Sequence, residues 1–300
     1  MKKVKIIYNP NSGRQIVQKN VPKLSQILRE NGYFVDIFKT EKRLDATNAA
    51  SKACKDNYDI IVSIGGDGTV NEIINGIMIN DYKPKLAIYP AGTVNDFATY
   101  LKVPRSIEAF SKLIIKENTI KTDVGVAGER YFLNVAAAGL LSDVAYKVSA
   151  ESKTVLGKFA YYLKGISELP KQIFKPVKMN IKIGKYEIRK EVLFFILANS
   201  ASVGGFSYIA PKAKINDGKF DLLVVEKSQF IEVARIFFKT LIGSHTKDSN
   251  LQYIQVDELK IECDENIYVD LDGEQFEKLP MEFKIKEKVV ELIIPETFKY

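Results

Sequence analysis

Three hundred residues with 46% hydrophobic content exclude a disordered chain, give ample material for a core and favour two domains over one. A formal charge of +7 admits an anionic partner without choosing among nucleic acid, lipid surface and phosphorylated substrate. Two distant cysteines, Cys54 and Cys263, exclude a disulfide framework or zinc spacing, and the single His245, read as a solvated loop residue, gives no basis for a histidine triad or metal cage. The apolar run at the N-terminus is too short for a signal peptide and stops at Asn9-Pro10, so a cytoplasmic protein is expected.

In chain order, residues 4–8 read as a strand and 9–13 as a loop. A helix over about 15–30 carries Val17, Leu24, Ile27 and Leu28 and stops at Asn31-Gly32. A strand at 33–38, a helix at 45–55 and a strand at 59–64 follow. The run Gly65-Gly66-Asp67-Gly68-Thr69 then opens onto a helix with Val70, Ile73, Ile74 and Ile77 on one face, and 85–89 is the next strand. This alternation predicts an α/β, doubly wound parallel sheet over residues 1–122. The loops after Tyr8, Ile64 and Tyr89 all fall at the carboxyl ends of its strands, where such sheets bind ligands.

Beyond a helix ending near Lys116 the pattern changes to closely spaced strands: 119–126, 131–136, 177–183, 186–197, 220–226, 253–263, 268–271, 281–285 and 289–294. Short turns join most of them, predicting an antiparallel β-sandwich or barrel over 123–289, with helices at 154–169 and 229–242. The C-terminal tail, 290–300, is expected to join the first domain. Residues 192–211 are uncharged but turn polar after Ala198, which suits a buried strand and loop rather than a membrane span. Residues 147–190 hold eleven basic and three acidic side chains, so most of the net charge sits there.

The motif Gly65 to Glu72 is the first with chemistry in it. Glycines let a backbone approach a polyphosphate closely, and a helix N-terminus adds unpaired N–H groups and a favourable dipole. Asp67 would repel that phosphate unless a divalent cation lay between them, so the run suggests nucleotide with Mg²⁺; the plainer reading is a glycine-requiring turn. A second loop, Gly92-Thr93-Val94-Asn95-Asp96, adds another carboxylate to the same sheet edge, and Asp123 is a third candidate. Near the C-terminus, Asp272-Gly273-Glu274 is either an ordinary hairpin turn or the acceptor of a hydroxyl proton. Lys214 to Lys219 is a plain Asx-Gly loop or a metal loop.

Together with Asn9-Pro10-Asn11-Ser12-Gly13, these motifs resemble the diacylglycerol kinase catalytic family, and within it the soluble bacterial lipid kinases related to sphingosine and ceramide kinases. The resemblance spans essentially the whole chain. It implies an α/β nucleotide domain, a β-sandwich domain and an active site in the cleft between them. It puts the phosphates of ATP on Asn9, Ser12, Thr40, Gly66, Asp67, Gly68, Thr69, Val70, Asn71, Glu72 and Thr93. It also implies a water-linked Mg²⁺ network at Asp67, Asp96 and Asp123, with Glu274, or failing that Asp272, as catalytic base. A structural Mg²⁺ is implied at the Asp217 side chain and the carbonyls of Lys214 and Lys219.

The expected reaction is ATP-dependent phosphorylation of a lipid hydroxyl. The basic surroundings of an amphipathic helix at 154–169 are expected to meet the anionic inner face of the membrane, while the helix's apolar face packs on the protein's own sandwich or rests on lipid; nucleic acid is not expected as partner, and exposed strand edges allow a homodimer. An NAD kinase-like enzyme and a non-catalytic nucleotide or lipid sensor are the alternatives. The sequence Asn71-Glu72 after GGDGT, the GTVND loop and the late DGE favour the lipid branch, and the retained acids argue against a sensor.

Overall fold

The computed structural model describes residues 1–92, 94–139, 176–206, 208–228, 230–241 and 243–298. Four strands, β1 (Lys3–Tyr8), β2 (Phe34–Lys39), β3 (Ile60–Gly65) and β4 (Lys85–Pro90), pair in parallel in the order β4-β3-β1-β2. They alternate with α1 (Arg14–Glu30), α2 (Asp45–Lys55) and α3 (Asp67–Met78), and β4 runs on into α4 (Asp96–Tyr100) and α5 (Ile107–Lys116). All six residues of β3 are buried, as expected for a strand covered on both faces. Small side chains on α2 (Ala46, Ala49, Ala50, Ala53) and Gly76 on α3 let those helices approach closely.

The second half begins with β5 (Thr119–Ala127), β6 (Arg130–Phe132) and β7 (Val135–Gly139), and resumes with β8 (Val177–Ile183), β9 (Tyr186–Ala198) and β10 (Phe220–Glu226). After α6 (Phe230–Leu241) come β11 (Leu251–Val256), β12 (Glu258–Cys263), β13 (Tyr268–Leu271), β14 (Glu274–Lys278) and β15 (Met281–Ile293). The pairings within this half are antiparallel, and two hydrophobic clusters form on its sheets, one around Phe132, Phe195, Phe220 and Phe283. The fold is therefore the mixed α/β domain followed by an antiparallel sandwich that the sequence pattern predicts. Strand β15 links the two: it pairs antiparallel with β12 and β5 and, at Leu292, parallel with Leu86 of β4. Val290, Leu292, Ile293 and Ile294 are buried in the core of the first half.

Several local expectations differ. The strand expected at 131–136 is two, because Leu133, Asn134 and Val135 turn three successive N–H groups onto one carboxylate, that of Asp272. The stretch 253–263 is also two strands, β11 pairing with β10 and β12 with β8 and β15. Conversely 281–285 and 289–294 belong to one strand whose register shifts between Lys286 and Val290. There Lys288 takes a left-handed φ of 53° and donates its N–H to Asp123. Strand β14 is additional; Asp272 (φ 53°) and Gly273 (φ 90°) form the two-residue turn that joins it to β13.

His245 is not a solvated loop residue. It is 1% exposed, its Nε2 lies 2.7 Å from the Ile209 carbonyl, and desolvation lowers its pKa. The expected helix at 154–169 lies outside the described residues, as does the basic stretch up to residue 175. In the described remainder of that stretch, Lys182 pairs with Glu262 and Lys190 with Glu226 across neighbouring strands. No helix among the described residues is long and apolar enough to cross a membrane, and Val192 to Ala198 lies inside β9.

Candidate active site between the two domains

Backbone hydrogen bonds carry the parallel sheet one step past its strand ends. Thr40 N–H donates to the Tyr8 carbonyl, Asn9 N–H to Ile64, and Ala91 and Gly92 N–H both to Gly65, at 3.0–3.1 Å. The loops after β1, β2, β3 and β4 are thereby laid side by side on one edge. The two glycine loops touch: a Cβ on Gly92 would lie 2.6 Å from the Gly66 Cα, closer than real Cβ contacts come. Asn95, in a left-handed conformation (φ 54°), closes the second loop by accepting from Gly92 N–H and donating to its carbonyl. Helix α3 starts directly behind Gly66, and the first-turn N–H groups of Asp67 and Gly68 have no intrahelical acceptor.

The residues expected on phosphate separate into groups. Gly66, Asp67 and Gly68 line the loop and the first turn of α3, with Asn9 and Ser12 in the neighbouring loop, where Ser12 N–H donates to the Asn9 carbonyl. The Asn9 side chain accepts from Asn11 N–H, and the Thr40 hydroxyl reaches the Tyr8 carbonyl at 3.3 Å. Thr69 and Val70 are buried, so Val70 in particular offers backbone rather than side chain. Asn71 and Glu72 do other work. Asn71 donates to Asp272 at 2.8 Å and to the Tyr131 carbonyl at 3.2 Å, tying α3 to the second domain. The Glu72 carboxylate accepts from the N–H groups of Leu44 and Ala46 and so caps α2. Like-charge repulsion also argues against phosphate there. Thr93 lies outside the described residues.

The acids divide in the same way. Asp67 is pushed up to about 6, first by burial and then by Asp96, with Asp272 adding to it; the backbone N–H groups of Asp96 and Phe97 counter the rise. Asp96 spans the domain junction, its two oxygens accepting from Gly204 and Gly205 N–H at 2.6 and 2.7 Å. Asp123 does not join them. It is fully buried, accepts from Gly218 and Lys288 N–H at 2.7 Å each, and faces Asp217 and Glu287, so it belongs with the 214–219 loop. In that loop Asp217 accepts from Lys219 N–H, and the Glu287 carboxylate packs against Gly218.

Asp272 and Glu274, the two candidates for a base, sit in different surroundings. Both Asp272 oxygens are occupied, Oδ1 by the N–H groups of Asn134 and Val135 and Oδ2 by Leu133 N–H and the Asn71 amide. Burial raises its carboxyl while the four donors oppose the rise, and donors on every side require the ionised, acceptor-only form. Glu274 is 28% exposed and faces the glycine loop: a Cβ on Gly68 would lie 3.2 Å from its Oε1. Its Oε2 lies 3.5 Å from Arg43 and 3.7 Å from Arg130, and the Arg130 guanidinium rests on the Phe276 ring. Neither arginine stands out in the sequence. Arg43 follows the carboxyl end of β2 and could have been flagged by the strand-end rule, whereas Arg130, in a short hairpin, gives no signal.

A buried acid whose pKa neighbouring acids push up, as Asp96 and Asp272 do for Asp67, is the electrostatic mark of a place suited to a cation. Among the described residues, no three His, Cys, Asp or Glu side chains converge to hold a metal by themselves. The donor set thus fits an ion held partly by water and by a ligand's own oxygens.

The comparisons with known proteins extend over the same ground. The family model for the diacylglycerol kinase catalytic domain matches residues 3–127, and the model for the YegS C-terminal NAD kinase beta sandwich-like domain matches 134–294. The diacylglycerol kinases of Staphylococcus aureus strains JH9 and Newman are 37% identical over 294 residues, covering 98% of this chain and 93% of theirs. Two crystal structures from Bacillus anthracis str. Sterne that carry the diacylglycerol kinase name superpose with TM-scores of 0.83 and 0.80, at 30% and 28% identity. They cover 99% and 98% of this chain, and 98% of each of those chains. With both halves matched in order and full-length relatives aligned from end to end, the chain belongs to the diacylglycerol kinase family, and its N-terminal half is a catalytic domain of the lipid kinase type.

Proposed function

We propose that the protein transfers the γ-phosphoryl group of ATP to the hydroxyl of a lipid alcohol, diacylglycerol or a close relative, at the cleft between its domains. The observation that carries this reading is the Glu274 carboxylate, partly exposed and facing the glycine turn at the start of α3. A base and a phosphate cradle then meet where the two domains touch. In this reading residues 1–122 with 290–300 hold the nucleotide and 123–289 supply the acceptor side.

The glycine-loop backbone and the first turn of α3 bind and orient the phosphates, with Asn9, Ser12, Thr40 and Thr93 alongside. Asp67 and Asp96 would hold a Mg²⁺ ion through water, and such an ion would supply positive charge to offset that of the transferring group. Asp272 clamps α3 to the second domain and keeps Glu274 aligned. Glu274 accepts the acceptor's proton as its hydroxyl attacks in line. A second Mg²⁺ at Asp217 and the carbonyls of Lys214 and Lys219 would serve structure, with Asp123 and Glu287 supplying negative charge beside it. The lipid is met at the cytoplasmic face of a membrane through the basic stretch 147–190.

The test is an acceptor screen with Mg-ATP in mixed micelles, setting diacylglycerol, phosphatidylglycerol, sphingoid bases and NAD side by side. Lipid phosphorylation that Glu274→Gln abolishes supports the proposal. Phosphorylation of NAD alone, or ATP binding without turnover on any lipid, overturns it.

A further inference from the structure

Four acids, Asp67, Asp96, Asp272 and Glu274, gather at the domain junction beside the first turn of α3, yet a transferring phosphate needs positive charge and N–H donors. Among the described residues, the cations paired to Glu274, the partly exposed acid of this group, are Arg43 and Arg130, which converge on the same carboxylate oxygen from opposite domains. The Arg130 guanidinium carbon lies 5.6 Å from the centroid of the Phe276 ring, and its Nε is buried without a partner. A buried N–H left unpaired is destabilising, and that penalty is removed when an anion accepts from it. The ion pairs to Glu274, at 3.5 and 3.7 Å, are longer than the roughly 2.7–2.9 Å of a charge-assisted hydrogen bond and are readily given up to a better anion.

Arg43 has an exposed side chain, but its backbone is pinned on both sides. Asp45 accepts from Glu41 and Lys42 N–H, and Glu72 accepts from Leu44 and Ala46 N–H. The glutamate that closes the Gly65–Glu72 motif therefore fixes the loop from which Arg43 reaches the junction.

We infer that Arg130 and Arg43 form a guanidinium clamp for the transferring phosphate, with Glu274 as their resting counter-ion and Glu72 as the positioning residue of Arg43. The inference rests on the phosphoryl-transfer reading above. In the step it describes, a bond forms between the acceptor hydroxyl oxygen and the γ-phosphorus while the bond to the β,γ-bridging oxygen breaks. ADP leaves with that electron pair, and the hydroxyl proton passes to Glu274. Both guanidiniums stay protonated and donate to the non-bridging γ-oxygens, to which their planar forks are matched.

The experiment is equilibrium binding of ATP and of ADP, with Mg²⁺ and without lipid, to wild type, Arg130→Gln, Arg43→Gln and Glu72→Gln, followed by turnover. Each arginine change is expected to weaken ATP about tenfold and leave ADP unchanged, and Arg130→Gln to lower kcat by about 10²- to 10³-fold. Glu72→Gln is expected to reproduce part of the Arg43→Gln effect and to add nothing to it in the double variant. Arginine changes that weaken ATP and ADP alike, or neither, overturn the clamp. Should Arg130→Gln fail to fold, Arg43→Gln decides, because its side chain is 67% exposed. Glu274→Gln separates the two readings: retained turnover would overturn the base assignment, whereas an ATP-over-ADP difference lost in the arginine variants would still support the clamp.

Discussion

Replacing Asp272 by asparagine changes one oxygen to an NH₂ group and little else in shape. Two of the four donors now face a donor instead of an acceptor: either Asn134 and Val135 N–H, or Leu133 N–H and the Asn71 amide. Hydrogen bonds to a charged group contribute about 1.5–3 kcal/mol each, so losing two costs roughly 3–6 kcal/mol. For a 300-residue protein, with an unfolding entropy of about 2.1 cal/mol/K per residue, each kcal/mol shifts Tm by about 1.6 °C, so Tm falls by roughly 5–10 °C. Differential scanning calorimetry of the metal-free protein at neutral pH, wild type beside Asp272→Asn, measures it. Turnover is expected to fall in proportion to the loss of interdomain alignment. A variant that melts within about 2 °C of wild type but has lost all turnover would refute the reasoning, making Asp272 a reacting group rather than a clamp.

Asp67 carries a pH signature. Its folded pKa of about 6 exceeds the ordinary carboxylate value, so the folded state binds the proton more tightly than the unfolded chain does. This group's contribution to stability is therefore greatest at low pH and is lost as pH rises through about 6, by about 3 kcal/mol at most. Asp67→Asn, measured in chelator, is expected to melt above wild type at pH 7.5 and to match it near pH 4, while losing turnover; a lower Tm at pH 7.5 would contradict the electrostatic account. Gly92→Ala forces its new Cβ onto Gly66 and is expected to weaken ATP binding at least tenfold, read by calorimetry. Asp96→Ala removes both acceptors of Gly204 and Gly205 N–H, and hydrogen exchange should speed up at those two amides while β1 and β3 stay protected.

The parallel half was legible because β3 and β4 are continuous apolar runs and α1 and α3 repeat at helical spacing. The second half blurred where one carboxylate redirects backbone. Asp272 splits the expected 131–136 strand, and Asp123, through Lys288, puts the irregularity into β15; neither effect leaves a trace in local pattern. The site shows the same division. The glycine turn and Asp67 could be named from motif chemistry, which also offered Asp272 or Glu274 as a base, with the family resemblance alone favouring Glu274. The tasks of Asn71 and Glu72 could not, because a side chain that caps a helix 26 residues away, or clamps a turn 201 residues away, looks the same in sequence as one aimed at a ligand.

Strand β15 has a consequence for how the molecule is made. Because Leu292 pairs with β4 and Val290 to Ile294 fill the first domain's core, the nucleotide half stays an open-edged sheet until the last residues of the second half leave the ribosome. Early synthesis yields a half-domain that must wait, and a stop codon near residue 285 would cripple the end of the protein that was made first.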